Sequence, residues 1–211
     1  MKKSASIALL SALFIIAFAG CQPETQKNVE ETAEDENKPA ETQKTDSLTL
    51  EQAATTAITA LKNEDMILLS SLASEKGVRF SPYAYINIDT DVVLEPEVLK
   101  NVQALSSTFV WGSYDGSGEP IDLPFGWYYE KFVYSKDFLN APEIKYNEII
   151  GRGNSINNLK EVYLNAEFSE YHFPGFDPQY EGMDWESLRL VFEKENNEYR
   201  LVGIIHDGWT I

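Results

Sequence analysis

The chain has 211 residues, with 34 acidic against 17 basic side chains, a formal net charge of −17 and a single cysteine. One cysteine excludes an internal disulfide. So acidic a balance argues against nucleic acid, whose binding depends on clustered Lys and Arg that neutralise phosphates.

The N-terminus carries Lys2 and Lys3, then an apolar run from Ile7 to Gly20. That run is shorter than the roughly 20 residues of a membrane-spanning helix, and it has the flanks of a secretory signal. Two cleavage readings compete. Ala17-Phe18-Ala19 suits an ordinary signal peptidase cutting before Gly20. Phe18-Ala19-Gly20-Cys21 resembles the lipobox of bacterial lipoproteins, with Phe18 where Leu is usual. The lone thiol favours the second reading, because an unpaired cysteine in a secreted chain needs a reason. The resemblance implies a signal peptide over residues 1–20 and lipidation of Cys21, hence an extracytoplasmic protein anchored to a membrane by lipid. Gln22 is not the Asp that retains many Gram-negative lipoproteins at the inner membrane. The implied membrane is therefore the cell membrane, or the outer membrane of a Gram-negative cell.

Residues 21–47 follow as an acylated cysteine and an acidic linker, with Val29 its only large aliphatic residue and no aromatics. Such a composition predicts disorder, a tether of about 25–30 Å r.m.s. span. Residues 48–211 hold all four Trp, with 26 acidic against 12 basic residues, and form one expected globular domain.

Within that domain, Thr49-Leu50-Glu51-Gln52 fits a capping box, and Ala53, Ala57, Ile58 and Leu61 fall on one helical face. Asn63-Glu64-Asp65 breaks that helix, and a second short one is predicted from Met66 to Ala73. Val78 to Phe80 begins an extended stretch, interrupted at Ser81-Pro82. Pro96 to Leu105 reads as a helix with proline in its first turn. Ser107 to Tyr114 reads as a strand and Asp115 to Gly118 as a turn. Asp122 is placed to cap a helix running to about Tyr134. A strand from Ile144 to Ile150, a helix from Ile156 to Tyr163 and a strand from Ala166 to Phe173 complete the middle. Leu188, Leu190 and Phe192 alternate with Ser187, Arg189 and Glu193, the pattern of a half-buried strand. Glu195-Asn196-Asn197-Glu198 reads as a tight turn into a returning strand, Tyr199 to His206. Helices first and antiparallel strands last give an α+β class.

The helical pair with its Asn63-Glu64-Asp65 break, then Gly77-Val78-Arg79-Phe80, then a hairpin ending in Arg200 to Ile211, resembles the nuclear-transport-factor-2-like fold of uncharacterised bacterial lipoproteins. The resemblance implies N-terminal helices packed on a curved antiparallel sheet, cone-like, with a C-terminal β-hairpin and often an enclosed pocket.

The chemistry-bearing residues are few. His172 and His206 each precede an acid, Asp177 and Asp207, and a histidine–carboxylate pair suits general base catalysis. A hydrogen-bonded structural histidine at a strand end is the commoner reading of both. Asp115-Gly-Ser-Gly-Glu119 has oxygens at calcium-loop positions but has Pro120 where a sharp-turn Gly belongs, so it reads as a plain turn. Asp89-Thr90-Asp91 with Glu95 reads as a capped turn. Gly151-Arg152-Gly153 lacks the Lys-Ser/Thr ending of a phosphate loop. No cofactor and no metal site is expected. Tyr171 to Trp185 is a long loop rich in aromatics and acids, suited to a cation or a sugar, or to a lid folded over the core. Arg79, Tyr83, Trp111, Tyr114, His172, Asp177 and Tyr180 are the candidate ligand contacts.

These features favour a non-catalytic accessory module of the cell envelope, binding a small ligand or an envelope protein. The alternative is an extracytoplasmic hydrolase or isomerase using a histidine–carboxylate pair. An open polar pocket is what separates a ligand-binding domain from a purely structural one.

Overall fold

The structure, a computed structural model, describes residues 47–210. The expected signal peptide, Cys21 and nearly all of the expected linker lie outside the described residues.

Helix α1 (Leu50–Lys62) starts as its sequence predicts. The Gln52 amide N–H donates to Thr49 Oγ1 at 3.3 Å, and the Thr49 N–H donates to Gln52 Oε1 at 2.9 Å, a complete capping box. Its apolar face, from Ala53 to Leu61, is fully buried against the sheet. Helix α2 (Met66–Leu72) is capped by Asp65, whose side chain accepts from the Leu68 N–H.

Strands β1 (Val78–Ser81) and β2 (Val92–Leu94) pair antiparallel. Strand β2 falls where the sequence suggested only a turn. Helix α3 (Pro96–Asn101) continues into a 3-10 turn over Val102–Ala104, close to the expected span. Strand β3 (Thr108–Ser113) then pairs with β4 (Pro120–Pro124) in a separate two-stranded ribbon. Here the expected helix to about Tyr134 forms, but its predicted start at Asp122 is wrong. The Asp115–Gly118 turn folds the chain back, so Asp122 and Leu123 pair along β3, and the helix begins only after Pro124. Helix α4 (Phe125–Tyr128) runs into a π-helical turn over Tyr129–Val133.

Strand β5 (Glu143–Tyr146) is shorter than expected. Asn147 takes φ +58 and its side chain accepts from the Phe168 N–H, which ends the strand and turns residues 148–153 out of the sheet. Helix α5 (Leu159–Val162) is likewise only one turn. Before it, the buried Asn158 side chain exchanges two hydrogen bonds with the Ile86 backbone instead of entering a helix. Strands β6 (Glu167–Phe173), β7 (Glu186–Glu195) and β8 (Glu198–Gly208) complete the sheet. The β7–β8 turn places Asn196 at φ +51 and Asn197 at φ +67, as the paired asparagines predict.

The six-stranded order is β2-β1-β8-β7-β6-β5. All pairs are antiparallel except β1 with β8, which run parallel. The α+β class, with helices on a curved and mostly antiparallel sheet and a C-terminal hairpin, is what the sequence predicts. One sheet face carries the main core: α1, Phe80, Tyr171, Leu188, Leu190, Phe192 and Ile204. The other carries a smaller one around Ile86, Leu159, Phe168, Val191, Val202 and Ile205. Burial on both faces means that β7 is not the half-buried strand its alternation implied.

Candidate functional site

Parallel neighbours cannot be joined by a turn, and this shapes a sizeable cavity. Strands β1 and β8 end side by side. The chain leaving β1 runs through Pro82 to Asp91, and the chain leaving β8 continues to Thr210. The space between these departing segments is closed by the β3–β4 turn and by residues 154–156, leaving a cavity of about 720 Å³. That lies within the usual size of small-molecule sites, roughly 300–1,000 Å³.

Tyr83, Tyr85, Tyr114 and Ile156 give the cavity its apolar surface, and Asn87, Thr90, Asn154 and Thr210 its neutral polar groups. Two carboxylates line it, Asp91 and Asp115; no Lys, Arg or His does so among the described residues. Asp91 is 8% exposed. Its Oδ2 accepts from the Ser81 hydroxyl at 2.5 Å and from the Asn87 N–H at 3.0 Å. Burial holds this carboxyl above the ordinary carboxylate range, although the Ser81 and Asn87 hydrogen bonds and the Arg79 charge oppose the shift. At the rim, the Asp115 N–H donates to the Tyr83 hydroxyl at 3.1 Å.

The sequence-predicted contacts divide. Tyr83 and Tyr114 line this cavity together. Arg79 sits beneath its floor, donating to the carbonyls of Ile88 and Asp91 at 3.4 and 3.3 Å. Trp111 does not reach the cavity. It is fully buried, stacked on Tyr128 at 4.0 Å between ring centroids, with its indole N–H on the Leu123 carbonyl. His172, Asp177 and Tyr180 lie elsewhere: no residue of 171–185 lines the cavity.

That 171–185 loop is tied to itself. Asp177 caps a 3-10 turn over Pro178–Tyr180 and accepts from the Gln179 backbone N–H and side-chain amide. Phe173 packs on Phe138, and Phe176 on Phe173, which is the lid arrangement, while Tyr180 stays half exposed. The cation over the Phe176 ring is the chain's own Lys136, 4.5 Å from its centroid.

The two histidines are not paired with the acids that follow them. His206 points to the main core, edge-on to Phe132, with Nδ1 3.3 Å from the Pro82 carbonyl and Nε2 3.5 Å from Glu186 Oε2. Asp207, the next residue, faces the opposite side of the sheet. There it joins a buried cluster around Arg189 and Glu170, two residues that sequence reading did not single out. Arg189, with no exposed surface, donates from Nε to Glu170 Oε2 at 2.9 Å and from Nη2 to Asp207 Oδ2 at 2.8 Å. Burial pushes the Asp207 carboxyl up against the pull of Arg189. Ser187 donates its single hydroxyl proton to Glu170 Oε1 at 2.7 Å, so His172 Nδ1, 2.8 Å away, is the donor to Ser187. Burial lowers the His172 pKa, although the charges of Glu170 and Glu143 oppose the shift.

Gly151 completes the cluster. Its N–H donates to Glu170 Oε1 at 2.8 Å, the Ile150 N–H to Oε2 at 3.1 Å, and its carbonyl accepts from Arg189 Nη2. A Cβ there would stand 2.4 Å from Trp185 Cζ3 and 2.5 Å from Ser187 Oγ, so only glycine fits. The anion held at this glycine is an internal carboxylate rather than a phosphate.

No protein-family model matches the chain, and no curated protein matches it. Among solved structures, one from Xanthomonas campestris described as a calcium/calmodulin-dependent protein kinase II association domain is similar over 72% of this chain and 80% of its own. The identity is 12% and the TM-score 0.31, so the architecture above rests on this chain's own strand order.

Proposed function

We propose that the chain is a lipid-anchored module of the cell envelope, on a helix-and-sheet scaffold of the nuclear-transport-factor-2-like kind, that binds a small ligand without transforming it. The observation that carries the binding half is the cavity beyond β1 and β8, with its tyrosine walls and buried Asp91. Pockets that combine apolar walls with a few fixed polar groups are the usual form of small-ligand sites. The lipid half rests on Cys21 and the apolar run before it. Among the described residues no helix is long and apolar enough to cross a membrane.

The full chain, extracted in detergent, is compared by native and denaturing mass spectrometry. Extra mass that leaves on denaturation, and that is lost when the exposed mouth residue is filled by Thr90→Trp, is the expected result. Retained mass insensitive to Thr90→Trp would refute the cavity as the site. The anchor is read separately by metabolic labelling with an alkyne fatty acid. Label is expected on the wild type and not on Cys21→Ala; label surviving that change would remove the anchor.

A further inference from the structure

Resting on the cavity reading above, we infer that its ligand is an organic ammonium ion bearing N–H groups, held by Asp91 Oδ1 and the tyrosine faces around it. The Oδ2 atom of Asp91 is engaged by Ser81 and Asn87, whereas Oδ1 has no hydrogen-bond partner among the described residues. It lies beside Gly112, another lining residue, where an added Cβ would come within 3.9 Å of it. Asp91 is 92% buried, and its Oδ1, open to the cavity rather than sealed in the fold, can accept from a donor that enters there.

The charge of that donor follows from what surrounds it. No basic side chain lines the cavity, and Arg79, beneath the floor, makes its hydrogen bonds to backbone carbonyls rather than to the Asp91 carboxylate. Asp115 adds a second negative charge at the rim. An anionic ligand would meet two carboxylates with no basic side chain lining the cavity. A neutral polyol would leave the Asp91 charge uncompensated. An ammonium ion satisfies both the charge and the lone pair, and aromatic faces attract it further. Tyr114 already accepts a cation in this way: Lys131 Nζ, outside the cavity, lies 4.4 Å from its ring centroid. The acidic chain as a whole steers cations inward.

Isothermal titration of the full chain in detergent at physiological salt, with 1,5-diaminopentane, 1,5-pentanediol and glutarate, tests the assignment. The diamine is expected to bind saturably with one site, and the diol and the diacid not to bind. Asp91→Asn keeps an oxygen for Ser81 and Asn87 while removing the charge, and should weaken the diamine about tenfold or more. Thr90→Trp, which alters neither carboxylate, should block it. Diamine binding unchanged by both variants would locate it on the acidic linker or surface and overturn the inference. Equal or tighter binding of the diol or glutarate, lost in Thr90→Trp, would overturn the ammonium assignment and leave the cavity standing. No saturable binding of any probe, with no retained mass in the native spectrum, would remove both.

Discussion

Two groups of buried charge lie on this sheet, and their contrast separates fold from site. Around Arg189 the chain pairs its charges internally: Glu170 accepts from Arg189, Ser187, Ile150 and Gly151, and Asp207 accepts from the same Arg189 Nη2, leaving only Nη1 without a partner. Around Asp91 the chain stops short, leaving one carboxylate oxygen and no paired cation in an open cavity. Internal pairing of buried charge is what a scaffold needs, because an unpaired one is costly to fold. A charge left incomplete at a cavity is what a ligand can complete. The same division holds for aromatics. Trp111 and Tyr128 stack on each other, and Phe176 takes Lys136, whereas Tyr85 is exposed at the cavity, with Tyr83 beside it held edge-on by Phe132.

The largest effect should come from breaking the closed cluster. Arg189→Leu leaves two carboxylates buried without their cation and should cost about 3–5 kcal/mol in denaturant unfolding. A loss under about 1 kcal/mol, the range of an exposed pair, would mean that water reaches the cluster and the contrast is false. Gly151→Ala is the milder probe. Its methyl meets Trp185 and Ser187 well inside contact distance, and overpacking of that kind costs about 1–3 kcal/mol. Ligand binding at the Asp91 cavity should be untouched by it, since Gly151 does not line that space.

How much of this was legible beforehand follows from range. The Thr49 capping box and the Asn196-Asn197 turn are local chemistry, and both stand where the sequence puts them. Tyr83 and Tyr114 could be chosen as candidate contacts by residue type, but Trp111 could not be excluded by type. Its burial comes from an irregular stretch of β3, between Val110 and Ser113, where Trp111 and Gly112 are both buried. Arg189 read as the solvent side of an alternating strand. Its burial depends on register, with Glu170 directly across on β6 and Asp207 on β8, and strand pairing over such separations has no local signal. Asp91 was visible only as a turn residue. It does hold that turn, through the Asn87 N–H, and its second oxygen acquires a role only once the parallel ends of β1 and β8 open a cavity above it.

The smallest expected effect sharpens the comparison most. The Asp91 carboxyl is raised above its ordinary value of 3.8, mainly by desolvation. A raised acid contributes stability that is fully present below the unfolded pKa and is lost as pH rises through the folded one. Ionised Asp91 is therefore a burden on the empty protein at neutral pH. Asp91→Asn keeps acceptors for Ser81 and Asn87 and drops the charge, so it should stabilise the ligand-free chain at pH 7 by less than about 1 kcal/mol. That advantage should shrink as the pH falls through the raised folded value and be gone only below the ordinary carboxyl value of 3.8. Groups common to both proteins, Asp115 and Arg79 among them, cancel in the difference. Thermal melts of the two proteins from pH 3.5 to 7 measure it. A variant less stable than wild type at pH 7 would mean that Arg79 or another cation already completes Asp91, placing it with Arg189 as part of the fold. If the gain appears and is then reversed by saturating diamine, which stabilises only the protein that binds it, the missing partner of Asp91 is the ligand.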